Sequence, residues 1–530
     1  MNSLELHSDS KVSEIDEIKV TFERMEQRYQ AEIKILKEQI LILTARLYGR
    51  KSEKISQLYE QLLLFEEKQD EATIPEPEDD EITVPAHSRK KRGRKAISDD
   101  LPRVDVLVDI DEADKVCECG CTKSRCGEDV AEKYDVIPPT FRVLRIIRPK
   151  YACRACEGVE SDKPAVMIAP VPKTLIPKGN ATAGLVAHIV TQKFVDAIPF
   201  YRLEKILARH GVIIPRATLC NWAIMAAEFC SVLIGFLKKE LMSGPLINAD
   251  ETVLQVHKEV GRKNTSQSYM WLFCGGPPNA PVYLFHYDPH RSSQVVKDYL
   301  NDYQGYVQTD GYVGYDFLDT MKPIHHVGCF AHARRMFIDA AKIVPRKNGE
   351  KMMSHADEAV RFIKNLYAIE KELRENGLDD DRKTAYRQEK SKPILDEFKA
   401  WLDKNALITV PKSALGKAIA YTLGQWPRLI RYIDRGFISP DNNRAENAIR
   451  PFVIGRKNWL FSDTPRGAHA SAILYSLIET AKANGLEPYQ YLKYIFGKLP
   501  YAETEADHKA LLPQYLDRED LATFTQGVVY

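Results

Sequence analysis

The sequence predicts a multidomain α+β protein: N-terminal helix, small cysteine-bearing module, second helical region, then a mixed β-sheet core interrupted by a long helical stretch. Three observations predict it. At 530 residues the chain is longer than one hydrophobic core usually serves. Six of its cysteines cluster between Cys117 and Cys156. Between residues 244 and 310, aromatic and β-branched runs separated by turn residues read as strand, strand, strand, helix, strand.

Within residues 1–70, Phe22, Met25, Tyr29, Ile33, Leu36, Ile40, Leu43 and Leu47 recur three and four apart with charged residues between them. This predicts an amphipathic helix, either a coiled coil or a helix packed on its own chain. Residues 71–103 read as a flexible linker, with Pro75, Pro77, Pro85 and an acidic run giving way to Arg89, Lys90, Lys91, Arg92, Arg94 and Lys95. So little apolar content cannot offset the entropy of ordering. A basic tract on flexible chain suits phosphate binding, and a solvated charge run is the alternative.

Residues 104–165 carry Cys117, Cys119, Cys121, Cys126 and the C-x-x-C of Cys153 and Cys156. Clustered thiols in an intracellular chain favour Zn²⁺ over disulfides, because thiolates suit zinc and the compartment is reducing. Between the two groups, Arg142, Arg145 and Arg148 alternate with apolar residues as in a strand with one basic face. Residues 180–235 suggest a helix-turn-helix: two periodic segments, a stop at Gly211, then a third helix after Pro215 with Arg216, Thr218 and Asn221 near its start. A bundle that only supports the core is the other reading.

The core's first part, 244–320, begins with the run ending at Asp250, continues through a hairpin turning at Gly275–Pro278, and places Val295, Val296, Tyr299 and Leu300 at helical spacing. It returns as a strand ending at Asp310. This order is that of a ribonuclease-H-like sheet, in which the first and fourth strands are neighbours. Residues 321–438 read as a helical insertion, 439–500 as the second part of the core, with Glu446 at a helix start, and 501–530 as a tail. Cys329 and His332 form a C-x-x-H with no second pair nearby and are read as packing and positioning residues.

Asp250, Asp310 and Glu446 are the chemical core of the sequence. Two strand ends and one helix can bring three carboxylates together, and oxygen ligands are what Mg²⁺ (or Mn²⁺) prefers while it keeps open positions for phosphate oxygens. Glu251 points to the other face of the strand. The chemistry this predicts is phosphodiester cleavage.

The phrases ADETVLQV, QTDGYVGYD, GCFAHARRMF and NNRAENAIRPFVIGRKNWLFS resemble those of the large (C-type) transposase of insertion-sequence-sixty-six elements, a DDE family, over nearly the whole chain. The resemblance implies that Asp250, Asp310 and Glu446 are the catalytic triad of a DNA strand-cleaving and strand-transferring enzyme using two metal ions, with Asp250 bridging them. It implies a zinc finger as well. Cys119-Gly120 aligns with the second half of the family's C-x-x-C-G while its first ligand falls at Val116, so the expected set is Cys117 and Cys119 with Cys153 and Cys156, Cys121 being the substitute. Dimerisation is the role implied for the N-terminal helix, beside LYGRKSEK. Arg450, Arg456 and Lys457 are expected near the scissile phosphate or the element's end. The arginine four before and the lysine seven after the glutamate of some other DDE enzymes are here Asn442 and Val453.

The formal net charge of +1 gives no global argument for nucleic acid, so the cations must act locally. No run approaches ~18 uninterrupted apolar residues and the first residues are acidic and polar, so a cytoplasmic protein with no membrane partner is expected. The expected partners are DNA ends and target, further copies of the chain and small accessory proteins of the same element. An inactivated relative acting as a DNA-binding regulator, or a nuclease without strand transfer, are the alternatives.

Overall fold

The computed structural model describes residues 166–342 and 354–526, with short stretches at 25–26, 103–105, 129, 139–152, 346–347 and 350–351. The N-terminal helix, the linker with Arg89, Lys90, Lys91, Arg92, Arg94 and Lys95, and the cysteines Cys117, Cys119, Cys121, Cys126, Cys153 and Cys156 lie outside the described residues, Met25 and Glu26 excepted. Contacts divide the chain into residues 50–141 and a unit of 1–49 with 142–530, to which every element below belongs.

Strands β1 (Lys150–Ala152) and β2 (Val166–Ile168) form an antiparallel pair. The arginine-rich stretch expected as a strand is irregular up to Lys150, and the Arg148 guanidinium instead donates to the Ala169 carbonyl at 2.8 Å. Helix α1 (Ala183–Phe194) is capped by the Thr182 hydroxyl, which accepts the Leu185 amide. Helix α2 (Phe200–Arg209) stops before Gly211, whose φ of +78° is the left-handed conformation expected of a helix stop. Helix α3 (Arg216–Ser243) starts behind Pro215, exposes Arg216 and Asn221, and buries Ala226, Ala227, Cys230, Leu233, Leu237 and Leu241. By length and composition α3 could cross a membrane. Here its apolar side packs on protein.

The central sheet contains β3 (Leu246–Gln255), β4 (Gln267–Gly275), β5 (Val282–Asp288), β6 (Gly305–Gln308) and β7 (Ile324–Val327), in the order β5-β4-β3-β6-β7. The first three strands are antiparallel; β6 runs parallel to β3 and β7 parallel to β6. Helix α4 (Ser293–Tyr299) makes the crossover from β5 to β6. Strand β7 falls inside the stretch expected to be helical. Its four residues, two of them histidines, are too few to show a period of two.

Helices α5 (Phe330–Lys342), α6 (His355–Glu375), α7 (Asp380–Ile408) and α8 (Ala414–Leu429) share a core that includes Phe337, Ile363, Phe398, Leu402 and Trp426. Arg387 and Glu370 form a buried ion pair inside it, Nε to Oε1 at 2.8 Å, and Arg387 also donates to the Tyr432 and Arg435 carbonyls. Helix α9 (Asn443–Trp459) continues through Pro451 to Trp459. Proline removes one amide donor and crowds the carbonyl of Asn447, a residue on the exposed side where water can satisfy it. Helices α10 (Pro465–Ala483) and α11 (Pro488–Lys498) follow, α10 packing on β5 and α3 and α11 on α1. The expected tail folds into α12 (Glu505–Ala510) and α13 (Arg518–Gln526).

The rims of the sheet are engaged by side chains. The amides of Tyr283 and Phe285 on β5 donate to the Thr480 and Ser476 hydroxyls of α10, at 3.0 and 2.8 Å. On β7, the His326 carbonyl accepts from Arg431 at 2.6 Å.

Candidate active site

The parallel ladder between β3 and β6 pairs Asn248 with Gln308. Two residues farther along each chain stand Asp250 and Asp310, so the register brings both acids out at the same level on the face that carries Asn248. Glu446 lies in the first turn of α9. The N-cap residue Asn442 donates through Nδ2 to the Ala249 carbonyl at 2.9 Å, and its own carbonyl accepts the Glu446 amide at 3.2 Å. The start of α9 is thereby fixed to the strand residue that precedes Asp250. Asp250, Asp310 and Glu446 line one cleft of ≈ 330 Å³, together with His332, Asn442, Ile449, Arg450 and Val453.

Burial pushes the Asp250 carboxyl up to about 8, with further upward contributions from Glu251, Asp310 and Glu446, against the Glu251 amide that donates to it at 2.9 Å. Carboxylates crowded at low dielectric favour a bound cation or a proton. Glu446 Oε1 is buried without a hydrogen-bond partner, with His332 Nδ1 at 3.7 Å, and Arg335 Nη2 lies 3.6 Å from Oε2. An all-oxygen donor set with an unsatisfied buried lone pair fits hard divalent ions. The ligand atoms of Cys329, His332 and Glu446 lie within 4.8 Å of one another, and the three acids are spread wider than that. Acids serving two ions ~3.5–4 Å apart, each ion ~2.1 Å from its ligands, can stand roughly 8 Å apart.

Glu251 is excluded from the cleft by its partners. Its carboxylate accepts from Arg291 Nε at 2.8 Å and from the buried Tyr315 hydroxyl, on the opposite side of the strand from Asn442. Arg450 lines the cleft. Arg456 and Lys457 are not among its lining residues: Arg456 Nη1 donates to Thr252 Oγ1 at 3.1 Å and Lys457 is exposed farther along α9. Arg216 is exposed at the start of α3, where its amide donates to Glu204 at 3.0 Å. Cys329 is buried and accepts the Asn442 amide at 3.2 Å, a packing role. His332 Nδ1 stands 3.7 Å from Glu446 Oε1. It lines the cleft, and the sequence signal that could have found it, the C-x-x-H, lacked a visible partner because that partner is the distant Glu446.

Residues 178–470 match the family described as Transposase IS66 family, 476–514 the IS66 C-terminal element, 114–157 the zinc-finger binding domain of transposase IS66, and 35–106 the Transposase C of IS166 homeodomain. The zinc-finger match supports a structural Zn²⁺ in that segment. Similar proteins include the uncharacterized protein y4jD of Sinorhizobium fredii, 33% identical over 502 residues and covering 90% of this chain and 94% of that one. The uncharacterized protein y4hP of the same organism is 28% identical over 514 residues, covering 91% and 88%. With family matches that extend from the zinc finger through the sheet to the C-terminal helices, the chain belongs to the Transposase IS66 family.

Proposed function

We propose that the chain is a DDE transposase that cuts DNA at the ends of an insertion sequence and joins those ends to a target. Its ribonuclease-H-like core would hold two Mg²⁺ (or Mn²⁺) ions through Asp250, Asp310 and Glu446. The observation that carries the reading is the meeting of these acids, from β3, the loop after β6 and α9, in one cleft with Glu446 Oε1 unsatisfied. Bound there, the ions would generate a nucleophilic hydroxide and stabilise the leaving oxygen of an in-line displacement. The protein supplies the carboxylates and Arg450 as positive charge beside the phosphodiester. No serine or tyrosine nucleophile is needed.

The division into 1–70, 71–103, 104–165, 180–235, 244–320, 321–438, 439–500 and 501–530 is proposed as helix, basic linker, zinc module, helix-turn-helix-like region, split core around its insertion, and C-terminal segment. The zinc ligands are proposed as Cys117, Cys119, Cys153 and Cys156. Arg89, Lys90, Lys91, Arg92, Arg94, Lys95, Arg216, Arg450, Arg456 and Lys457 are proposed to meet DNA, in a cytoplasmic assembly of several copies with accessory proteins of the element. Asp250→Ala should abolish Mg²⁺-dependent cleavage and joining of labelled end DNA while gel-shift binding persists. Full activity in that variant would refute the assignment. Cleavage without joined products in the wild type would make the protein a nuclease, and end binding without cleavage a regulator.

A further inference from the structure

We propose that Asn248, Gln308 and Asn442 are positioning residues, a buried amide triad that sets the three carboxylates relative to one another; the proposal rests on the metal-site reading above. Each amide precedes one acid by two or four residues along the chain: Asn248 before Asp250 on β3, Gln308 at the end of β6 before Asp310, and the N-cap Asn442 before Glu446 of α9. All three are at most 2% exposed. Both protons of Asn248 Nδ2 are used, to Gln308 Oε1 and to Asn442 Oδ1, each at 2.9 Å. Gln308 Nε2 reaches the Gly328 and Ser439 carbonyls at 3.1 and 2.8 Å, and Asn442 Nδ2 reaches the Ala249 carbonyl at 2.9 Å. These bonds join β3, β6, the turn into α5 and the segment leading into α9.

Apolar side chains would fill the same space without direction, and α9 could then slide or rotate on the sheet by fractions of a turn. Hydrogen bonds between amides define distance and angle, and a neutral amide adds no charge that would compete with bound cations. The arrangement has a cost: Asn248 Oδ1 is buried without a partner. A polar network kept in a core at such a cost is accounted for by what it positions, and outer-shell partners of metal ligands typically change affinity by 10–100-fold when removed.

The test is Mn²⁺ titration of the metal-free full-length protein, read by electron paramagnetic resonance, with thermal unfolding in parallel. Asn442→Ala and the near-isosteric Gln308→Met should each raise the Mn²⁺ dissociation constant by roughly 10-fold or more. Ser476→Ala, which removes a buried hydroxyl at the far rim of the sheet, should lower the melting temperature without that change. Gln308→Met keeps the test open if Asn442→Ala does not fold. Wild-type affinity in the folded variants overturns the triad alone. Wild-type protein whose Mn²⁺ binding is absent, or is indifferent to Asp250→Ala, removes the metal-site reading beneath it.

Discussion

Arg291 and Glu251 meet on the opposite side of β3 from the cleft, with Arg291 Nε 2.8 Å from Glu251 Oε1 and the guanidinium stacked 3.6 Å from the Tyr312 ring centroid. Two adjacent acids thus have opposite roles. Glu251 is committed to an arginine and a tyrosine, while Asp250 faces other carboxylates. The same contacts hold the Asp310 loop, since the Tyr312 amide donates to Asp310 Oδ1 at 3.0 Å and the Tyr312 hydroxyl to the Arg291 carbonyl at 3.1 Å. Arg291→Ala should cost about 1–3 kcal/mol of stability, because it leaves a buried carboxylate with less compensation. Adding Glu251→Gln should recover part of the loss in urea unfolding. Additive losses would show that the two groups do not act as a pair.

Asp250 makes the metal-free protein less stable than it could be. Its folded carboxyl titrates at about 8 against an ordinary value of 3.8, so the folded state holds its proton more tightly and stability falls as pH rises through that window. Asp250→Asn should therefore be more stable than wild type by about 1–2 kcal/mol in chelator at pH 8, while cleavage is lost. Calorimetric melting in chelator checks this, and an Asn variant less stable than wild type contradicts it.

Lys193 sits among the rings of Phe194, Phe200 and Trp459, its ammonium 5.4, 4.7 and 5.1 Å from their centroids. Desolvation pulls its pKa from 10.5 down to about 8. Between these values the unfolded chain binds more protons than the folded one, so this group makes stability rise with pH. Lys193→Met should be the more stable protein below pH 8, with the gap narrowing toward pH 10.5. A constant gap across that range in pH-dependent melting would refute it.

Within the core shared by α5 to α8, Arg387→Ala should be far more damaging than a matched apolar pair. Removing the guanidinium strands the Glu370 carboxylate and two backbone carbonyls, and breaking such a buried pair costs about 3–5 kcal/mol. The double change Arg387→Met with Glu370→Leu should sit much closer to wild type in denaturant titrations. Equal losses in the two variants would contradict this account.

Neutralising Arg89, Lys90, Lys91, Arg92, Arg94 and Lys95 should flatten the salt dependence of end-DNA binding by about five units of log–log slope, at ~0.9 per phosphate contact. An unchanged slope would exclude this tract from the DNA interface.

The parts of the fold that local chemistry determines were legible in the sequence. Alternation and turn residues located β3, the β4–β5 hairpin, α4 and β6, and with them Asp250 and Asp310; the run NNRAENAIRP read as the start of the helix bearing Glu446. What depends on tertiary contact was not. Strand β7 is too short to carry a period, and α9 crosses Pro451 because the freed carbonyl faces outward. His332 enters the cleft because the fold sets its Nδ1 3.7 Å from Glu446 Oε1, a proximity that no spacing encodes. The polar network under the acids joins residues 248, 308 and 442, so its logic appears only when three separate elements are assembled.

The occupied rims of the sheet limit how copies of this protein can associate. A strand from another molecule needs free backbone donors and acceptors to add to, and Ser476, Thr480 and Arg431 already engage such groups at the two ends. A strand added to β5, or to β7 at His326, would first have to displace these side-chain hydrogen bonds, a cost set against edge-to-edge growth of this sheet.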